Sequence, residues 1–159
     1  MNINITLAEV KKDDLNAFFQ FQLDKEASYL AAFTPKDTND ETAYVERYTR
    51  YLTDPSIHMR TIMADGEIAG SISKYVIEEE AEITYWIDRK FWGKGIATAA
   101  LSAFLHLEQS RPIYGRVAFD NFGSQRVIEK CGFVKIGTDK GFANARQTEI
   151  EEYIYKLSE

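Results

Sequence analysis

A strand, a glycine-bearing turn and an apolar helix occupy residues 86–107, and this segment constrains the fold more than any other part of the chain. The turn carries Gly93 and Gly95, and the helix begins at about Gly95. The helix is apolar nearly all round, and its one polar stripe consists of Thr98, Ser102, His106 and Gln109. A helix with so little polar surface packs on most of its sides. We therefore expect its N-terminus to be held rigidly.

The N-terminus of this helix is a predicted anion site. The first turn of a helix offers free backbone N–H groups and a partial positive charge, and preceding glycines let a phosphate approach the backbone. Arg89, Lys90 and Lys94 add positive charge there, in a chain whose formal net charge is −6. The loop lacks the Gly-Lys-Ser/Thr ending of the Walker pattern and the three-glycine spacing of dinucleotide-binding loops. The residues by themselves indicate either a pyrophosphate site or an ordinary strand-to-helix turn.

The hydrophobic periodicity predicts a single domain over residues 1–159. Alternation indicates a strand at 3–10, and helical spacing follows at 13–23. Thr38 and Glu41 form a capping box, which predicts the start of a second helix. The remaining predicted elements are strands at 57–64, 67–77 and 82–88, a helix, a strand, a further helix, and strands at 133–138 and 148–157.

This order of elements predicts an α+β fold in three layers, α/β/α. Antiparallel strands lead into a βαβ crossover, so we expect a central sheet of mixed direction. The sheet should contain six to seven strands and be flanked by about four helices. The strands that precede Gly93 and Asn121 are expected to be parallel neighbours that splay apart at their C-terminal ends.

Composition and charge disfavour several other classes of protein. The chain is 45% hydrophobic and contains one cysteine, which fits a globular domain without disulfides in a reducing compartment. No apolar run reaches membrane-spanning length, and the first residues do not follow the signal-peptide pattern. The net charge of −6 disfavours nucleic-acid binding, and two histidines with one cysteine offer no visible metal site. We expect a cytoplasmic monomer or homodimer that binds neither nucleic acid nor membrane.

A second informative segment runs from Asn121 to Phe133. Asn121 is placed to cap a short helix, and Gly132 is placed to end it. The predicted buried face of this helix consists of Val127, Ile128 and Cys131. A structural cap and stop would explain every one of these residues, so the segment alone assigns no function.

Together the two segments resemble the GNAT superfamily of N-acetyltransferases. Residues 92–97 are similar to the family's Gln/Arg-x-x-Gly-x-Gly/Ala loop, with Trp92 at the first position as in the branch that looks like the RimJ/RimL ribosomal-protein acetyltransferases. Residues 121–133 are similar to the family helix Asn-x-x-Ser-x-Arg-x-x-Glu-Lys-x-Gly-Phe. Two motifs in the expected order are far more specific than either alone.

The resemblance implies an acyltransferase that uses acetyl-CoA as co-substrate and needs no metal. It implies that the backbone N–H groups of residues 93–98 hold the pyrophosphate. It also implies that the strand edge at residues 85–87 pairs with the pantetheine amides as an added strand would. The implied coenzyme-binding residues are Tyr85, Trp86, Ile87, Trp92, Gly93, Lys94, Gly95, Ile96, Ala97, Thr98 and Asn121.

The implied reaction is direct attack of a primary amine, in a small molecule or a peptide, on the thioester within a ternary complex. Many family members place a tyrosine acid where this chain has Ile128, and some carry a base glutamate near Arg116. Ser124 matches the hydroxyl that RimL-like enzymes are thought to use instead, and Glu82 is the remaining candidate base. These departures keep a second function open, namely a coenzyme A-binding module that senses or regulates without turnover.

Overall fold

The computed structural model describes residues 3–36 and 38–159. Its strands are β1 (Ile5–Glu9), β2 (His58–Ala64), β3 (Glu67–Ile77), β4 (Glu80–Ile87), β5 (Ile113–Ala118), β6 (Val134–Ala143) and β7 (Thr148–Leu157). Its helices are α1 (Lys12–Gln22), α2 (Lys25–Ala31), α3 (Glu41–Thr53), α4 (Ile96–Leu107) and α5 (Phe122–Lys130), and a single 3₁₀ turn lies at Arg89–Phe91.

The strands form one mixed sheet in the order β1-β2-β3-β4-β5-β7-β6. Among the described residues, β4 and β5 are the one parallel pair, and the other neighbours are antiparallel. Residues 81–83 pair with residues 113–115, and beyond them the two strands diverge, β4 to Ile87 and β5 to Ala118. This topology confirms the mixed α+β fold and the predicted pair of parallel, splayed neighbours.

Helices cover both faces of the sheet. On one face, α4 and α5 pack into the largest core cluster, and α4 buries Ile96, Ala100, Leu101 and Phe104 there. On the other face, α1 and α3 enclose a second cluster with Leu15, Phe18 and Met59 at its centre. The burial of α4 explains why its N-terminus is fixed in place beside the divergence of β4 and β5.

One helix boundary and the number of helices differ from the sequence-based expectation. The predicted capping box of Thr38 and Glu41 is wrong, because α3 begins at Glu41 and its N-cap is Asp40, whose carboxylate accepts the Ala43 N–H at 3.0 Å. Thr38 and Asp40 are both good capping residues, and the local pattern alone did not separate them. The structure also contains α2, which raises the number of helices in the described residues to five. With 7 residues, α2 is too short to show a helical period and is fixed by its cap at Asp24.

Candidate active site

The divergence of β4 and β5 opens a cleft, which we call the β4–β5 cleft. Its walls come from α2, the end of β4, the glycine loop, and the first turns of α4 and α5. The predicted coenzyme-binding residues that line it are Tyr85, Trp86, Ile87, Trp92, Gly93, Gly95, Ile96, Ala97, Thr98 and Asn121. The structure thus brings together all of the predicted coenzyme-binding set except Lys94. It also places Ser124 in the same lining, whereas Glu82 lies outside it.

The glycine loop has the backbone geometry of an anion cradle. Gly93 and Gly95 have φ of 76° and 75°, and Gly95 is the N-cap of α4. A Cβ built on either glycine would meet nothing within 4 Å, so the space above the loop is open. Trp92 anchors the loop, since its Nε1–H donates to the Ile87 carbonyl at 2.9 Å. This bond gives a physical reason for tryptophan at the first position of the motif.

The positive charge around the loop is distributed differently from the expectation. Arg89 is engaged by the carboxylates of Asp24 and Glu26 at the start of α2, and Lys90 lies 3.5 Å from Glu67. The ammonium of Lys94 lies 5.9 Å from the Phe91 ring centroid. Two cations that the sequence reasoning missed, Arg126 and Lys130 of α5, are exposed along the cleft. Their spacing of four residues on one face of a helix was the available signal.

Ser124 and Tyr85 form a hydroxyl pair inside the β4–β5 cleft. Asn121 caps α5 by accepting the Ser124 N–H at 3.3 Å, which fixes Ser124 in the first turn. The Ser124 Oγ lies 2.6 Å from the Tyr85 Oη, so one hydroxyl donates to the other. Burial raises the pKa of Tyr85 to about 12, and the bond to Ser124 opposes that rise. The phenol therefore keeps its proton at neutral pH.

The two other candidate groups on α5 belong to the core. Ile128 is buried and packs against Gly115, where a Cβ would collide with its side chain. The position that carries a tyrosine in many relatives is thus filled by packing here. Cys131 is half-buried, its Sγ lies 3.6 Å from the Thr98 carbonyl, and burial raises the pKa of its thiol. These observations fit a packed thiol and not a nucleophile.

Glu82 is buried on the sheet face that carries α1 and α3. Its Oε1 lies 3.4 Å from the Arg116 Nε and 3.4 Å from the Tyr75 Oη. Burial raises the pKa of the Glu82 carboxyl, while the charge of Arg116 opposes the rise. Arg116 also donates to Glu152 at 3.0 Å. Glu82 shares a face of β4 with Thr84, one pleat repeat away. Because Glu82 lies outside the lining of the β4–β5 cleft, its assignment as the base stays a prediction.

A second pocket lies on the other side of β4, and we call it the α3 pocket. It shares Tyr85 and Trp86 with the β4–β5 cleft, so both cavities border the end of β4. The other lining residues are Phe18, Phe21, Gln22, Thr34, Pro35, Thr38, Asp40, Ala43, Tyr44, Arg47, Tyr48, Met59, Ser71, Ser73 and Thr84. Tyr44 and Tyr48 of this lining also pack against the second core cluster.

The described residues also lack two features that other classes of protein carry. In residues 3–36 and 38–159, no helix is both long and apolar enough to span a membrane. In the same part of the chain, no group of three or more His, Cys, Asp or Glu side chains is arranged to hold a metal ion.

The fold, with its parallel pair of strands that diverge beside a glycine loop, defines a class of protein, the acetyltransferases with the GNAT fold. A family model described as "Acetyltransferase (GNAT) domain" matches residues 4–134. The chain therefore belongs to the GNAT acetyltransferase family, whose members are enzymes.

Individual relatives support the RimJ/RimL-like branch. The chain is 38% identical over 84 residues to a Bacillus subtilis (strain 168) protein named provisionally as the ribosomal N-acetyltransferase YdaF, a match that spans 48% of this chain and 45% of YdaF. RimL, a ribosomal alpha-N-protein acetyltransferase solved with coenzyme A, has a TM-score of 0.85 at 20% identity, with 99% of this chain and 98% of RimL covered.

A second similar structure is the microcin C7 self-immunity acetyltransferase MccE, solved with acetyl-CoA and AMP. Its TM-score is 0.80 at 22% identity, with 99% of this chain and 94% of that chain covered. At such identities the two solved structures show a shared fold. The coenzyme A in the RimL structure and the acetyl-CoA and AMP in the MccE structure are ligands of those two proteins.

Proposed function

We propose that the protein transfers the acetyl group of acetyl-CoA to a primary amine that enters through the α3 pocket. The observation that carries this proposal is that both cavities border Tyr85 and Trp86. A thioester at the inner end of the β4–β5 cleft would face an amine in the α3 pocket across the end of β4. Such an arrangement favours direct attack within a ternary complex, because both reactants are held at the same point.

The residues along the β4–β5 cleft fit acetyl-CoA. The open space above Gly93 and Gly95, together with the N-terminus of α4, suits a pyrophosphate on backbone N–H groups of residues 93–98. The diverging edge of β4 leaves backbone groups of residues 85–87 for the pantetheine amides. Arg126 and Lys130 add positive charge along the same wall.

The proposed reaction uses a proton donor for the leaving thiolate and a proton acceptor for the amine. The amine nitrogen forms a bond to the thioester carbon, the C–S bond breaks, and coenzyme A leaves as a thiolate that takes a proton. Because a thiol has a pKa of about 8.5, the thiolate is a reasonable leaving group even without a strong general acid. Ser124 passes a proton to the thiolate and regains one from solvent, and the phenol of Tyr85 orients the serine hydroxyl through their 2.6 Å bond. Glu82 is the candidate acceptor of the amine proton.

A coenzyme A-binding module without turnover is the competing function. It is favoured by Ile128 in the core and by Arg116 near the usual position of the base. To separate the two, acetyl-CoA binding is measured by calorimetry and thiol release is measured with primary amines and with peptides bearing free N-termini. Amine-dependent release supports the enzyme, and tight binding with no release from any acceptor supports the module. Release with peptides alone, or with small amines alone, identifies the acceptor class.

A further inference from the structure

Arg47 gives the α3 pocket a positive charge that the fold does not use. It is half-buried and is the one Lys or Arg in the described lining of the pocket. Tyr44 and Tyr48 flank it in sequence, with ring centroids 4.3 Å apart. Burial raises the pKa of both phenols, and the charge of Arg47 acts against that rise in both. Arg47 thus lines the same pocket as the two stacked rings.

Other partly buried arginines in this chain have protein partners. Arg146 holds both oxygens of Asp120, Arg116 bonds to Glu152, and Arg111 donates to backbone carbonyls. Within residues 3–36 and 38–159, the ion pairs and hydrogen bonds include none made by the Arg47 guanidinium. Asp40, the acidic residue of the pocket lining, caps α3 through its Oδ1, which accepts the Ala43 N–H, and makes no ion pair with Arg47.

We infer that the α3 pocket selects an amine that also carries a carboxylate, which Arg47 binds. This inference rests on the proposed transfer reaction and names its class of acceptor. A guanidinium binds a carboxylate through two parallel hydrogen bonds, and a partly desolvated one gains most from such a partner. The same charge repels polyamines, whose second ammonium would have to approach it. Although the chain has a net charge of −6, the positive charge of Arg47 in the pocket therefore disfavours a polycationic acceptor.

The carboxylate can belong to a free amino acid or to an acidic peptide N-terminus, and matched acceptors separate these sources. Alanine is compared with alaninamide, which lacks the carboxylate, and a Glu-initiated peptide amide is compared with the Gln-initiated peptide amide. A diamine serves as the cationic acceptor. Each is assayed with the wild type, with Arg47→Gln and Arg47→Lys, and with Arg50→Gln. Arg50 lies on the same helix, is exposed, and is outside the pocket lining.

In the wild type we expect kcat/KM for the carboxylate acceptor to exceed that for its amide by about ten-fold or more, as a charge-assisted bidentate pair allows. Arg47→Gln should bring this ratio close to one through KM, Arg47→Lys should retain part of it, and Arg50→Gln should match the wild type. A preference for the amide or the diamine in the wild type overturns the inference. So does a preference for the carboxylate that survives Arg47→Gln.

Failure of the transfer reaction is distinguishable from failure of this inference. If no amine is acetylated, the proposed function fails, and binding of N-acetylalanine and of N-acetylalaninamide is measured by calorimetry. Tighter binding of the acid that is lost in Arg47→Gln supports carboxylate recognition by the pocket. Equal affinity for the acid and the amide overturns it.

Discussion

Removal of the Tyr85 hydroxyl tests the hydroxyl pair in the β4–β5 cleft. Tyr85→Phe deletes the 2.6 Å bond to the Ser124 Oγ and leaves the ring in place. A hydrogen bond of this kind contributes about 1 kcal/mol, which corresponds to ~5-fold in kcat if the bond orients the proton donor in the transition state. Ser124→Ala removes the donor itself and should lower kcat about 10- to 100-fold.

The double variant distinguishes two hydroxyls that act through each other from two hydroxyls that act independently. If Tyr85 works through Ser124, Tyr85→Phe combined with Ser124→Ala should be no slower than Ser124→Ala alone. Affinity for acetyl-CoA should be nearly unchanged in all three variants, because neither hydroxyl belongs to the glycine loop. The assay is initial-rate thiol release at saturating acetyl-CoA, in H2O and in D2O, with the solvent isotope effect reduced when Ser124 is absent.

A matched control removes a phenol hydroxyl elsewhere. Tyr155 is buried and donates to Glu129 at 2.8 Å, outside the cleft lining. Tyr155→Phe should therefore change the free energy of unfolding and leave kcat alone. Multiplicative losses in the double variant, or a wild-type rate in Tyr85→Phe, would refute the coupling.

Three further perturbations address the loop, the base and the scaffold. Gly95→Val should weaken acetyl-CoA binding about ten-fold or more by calorimetry, because its side chain enters the open cradle; Gly66→Val, at a similarly positive φ of 84° with open space around it, should not. Glu82→Gln should lose activity mainly at low pH and recover as pH rises, since the amine then deprotonates without help; a flat loss makes Glu82 structural. Asp120→Asn breaks the paired bonds to Arg146 and should cost about 2 kcal/mol of unfolding free energy near pH 7. Arg146 lowers the pKa of Asp120 in the folded state, so this difference should begin to fall at about pH 4 and vanish only below that lowered pKa, and a pH-independent difference would contradict the ion pair.

The sequence pattern predicted the structural features that depend on a few neighbouring residues. The glycine loop and the start of α4 follow from Gly93, Gly95 and an apolar helix, and the cap of α5 follows from Asn121. The parallel pair of β4 and β5 follows from the crossover between them. Where two capping residues compete, as Thr38 and Asp40 do, the sequence offers no criterion, and the tertiary structure decides.

The chemistry of the site was less predictable because it depends on contacts between distant residues. Tyr85 and Ser124 are 39 residues apart, and their contact exists only because β4 and α5 flank one cleft. The sequence analysis assigned Tyr85 to backbone pairing with pantetheine. The position of a residue on a strand edge does not predict which side chain its phenol hydroxyl will contact. The lack of an ion-pair partner for Arg47 among the described residues cannot be predicted from sequence either, because it depends on which distant side chains the fold brings near it.

Initial-rate kinetics with both substrates varied test the central claim most directly. Thiol released and N-acetylated amine formed are quantified together, with the acceptor class found by the amine and peptide screen. Direct transfer in a ternary complex predicts one thiol for each acetylated amine and intersecting double-reciprocal lines. Parallel lines with an acetylated protein intermediate would contradict direct attack, and coenzyme binding without thiol release from any acceptor would contradict catalysis itself.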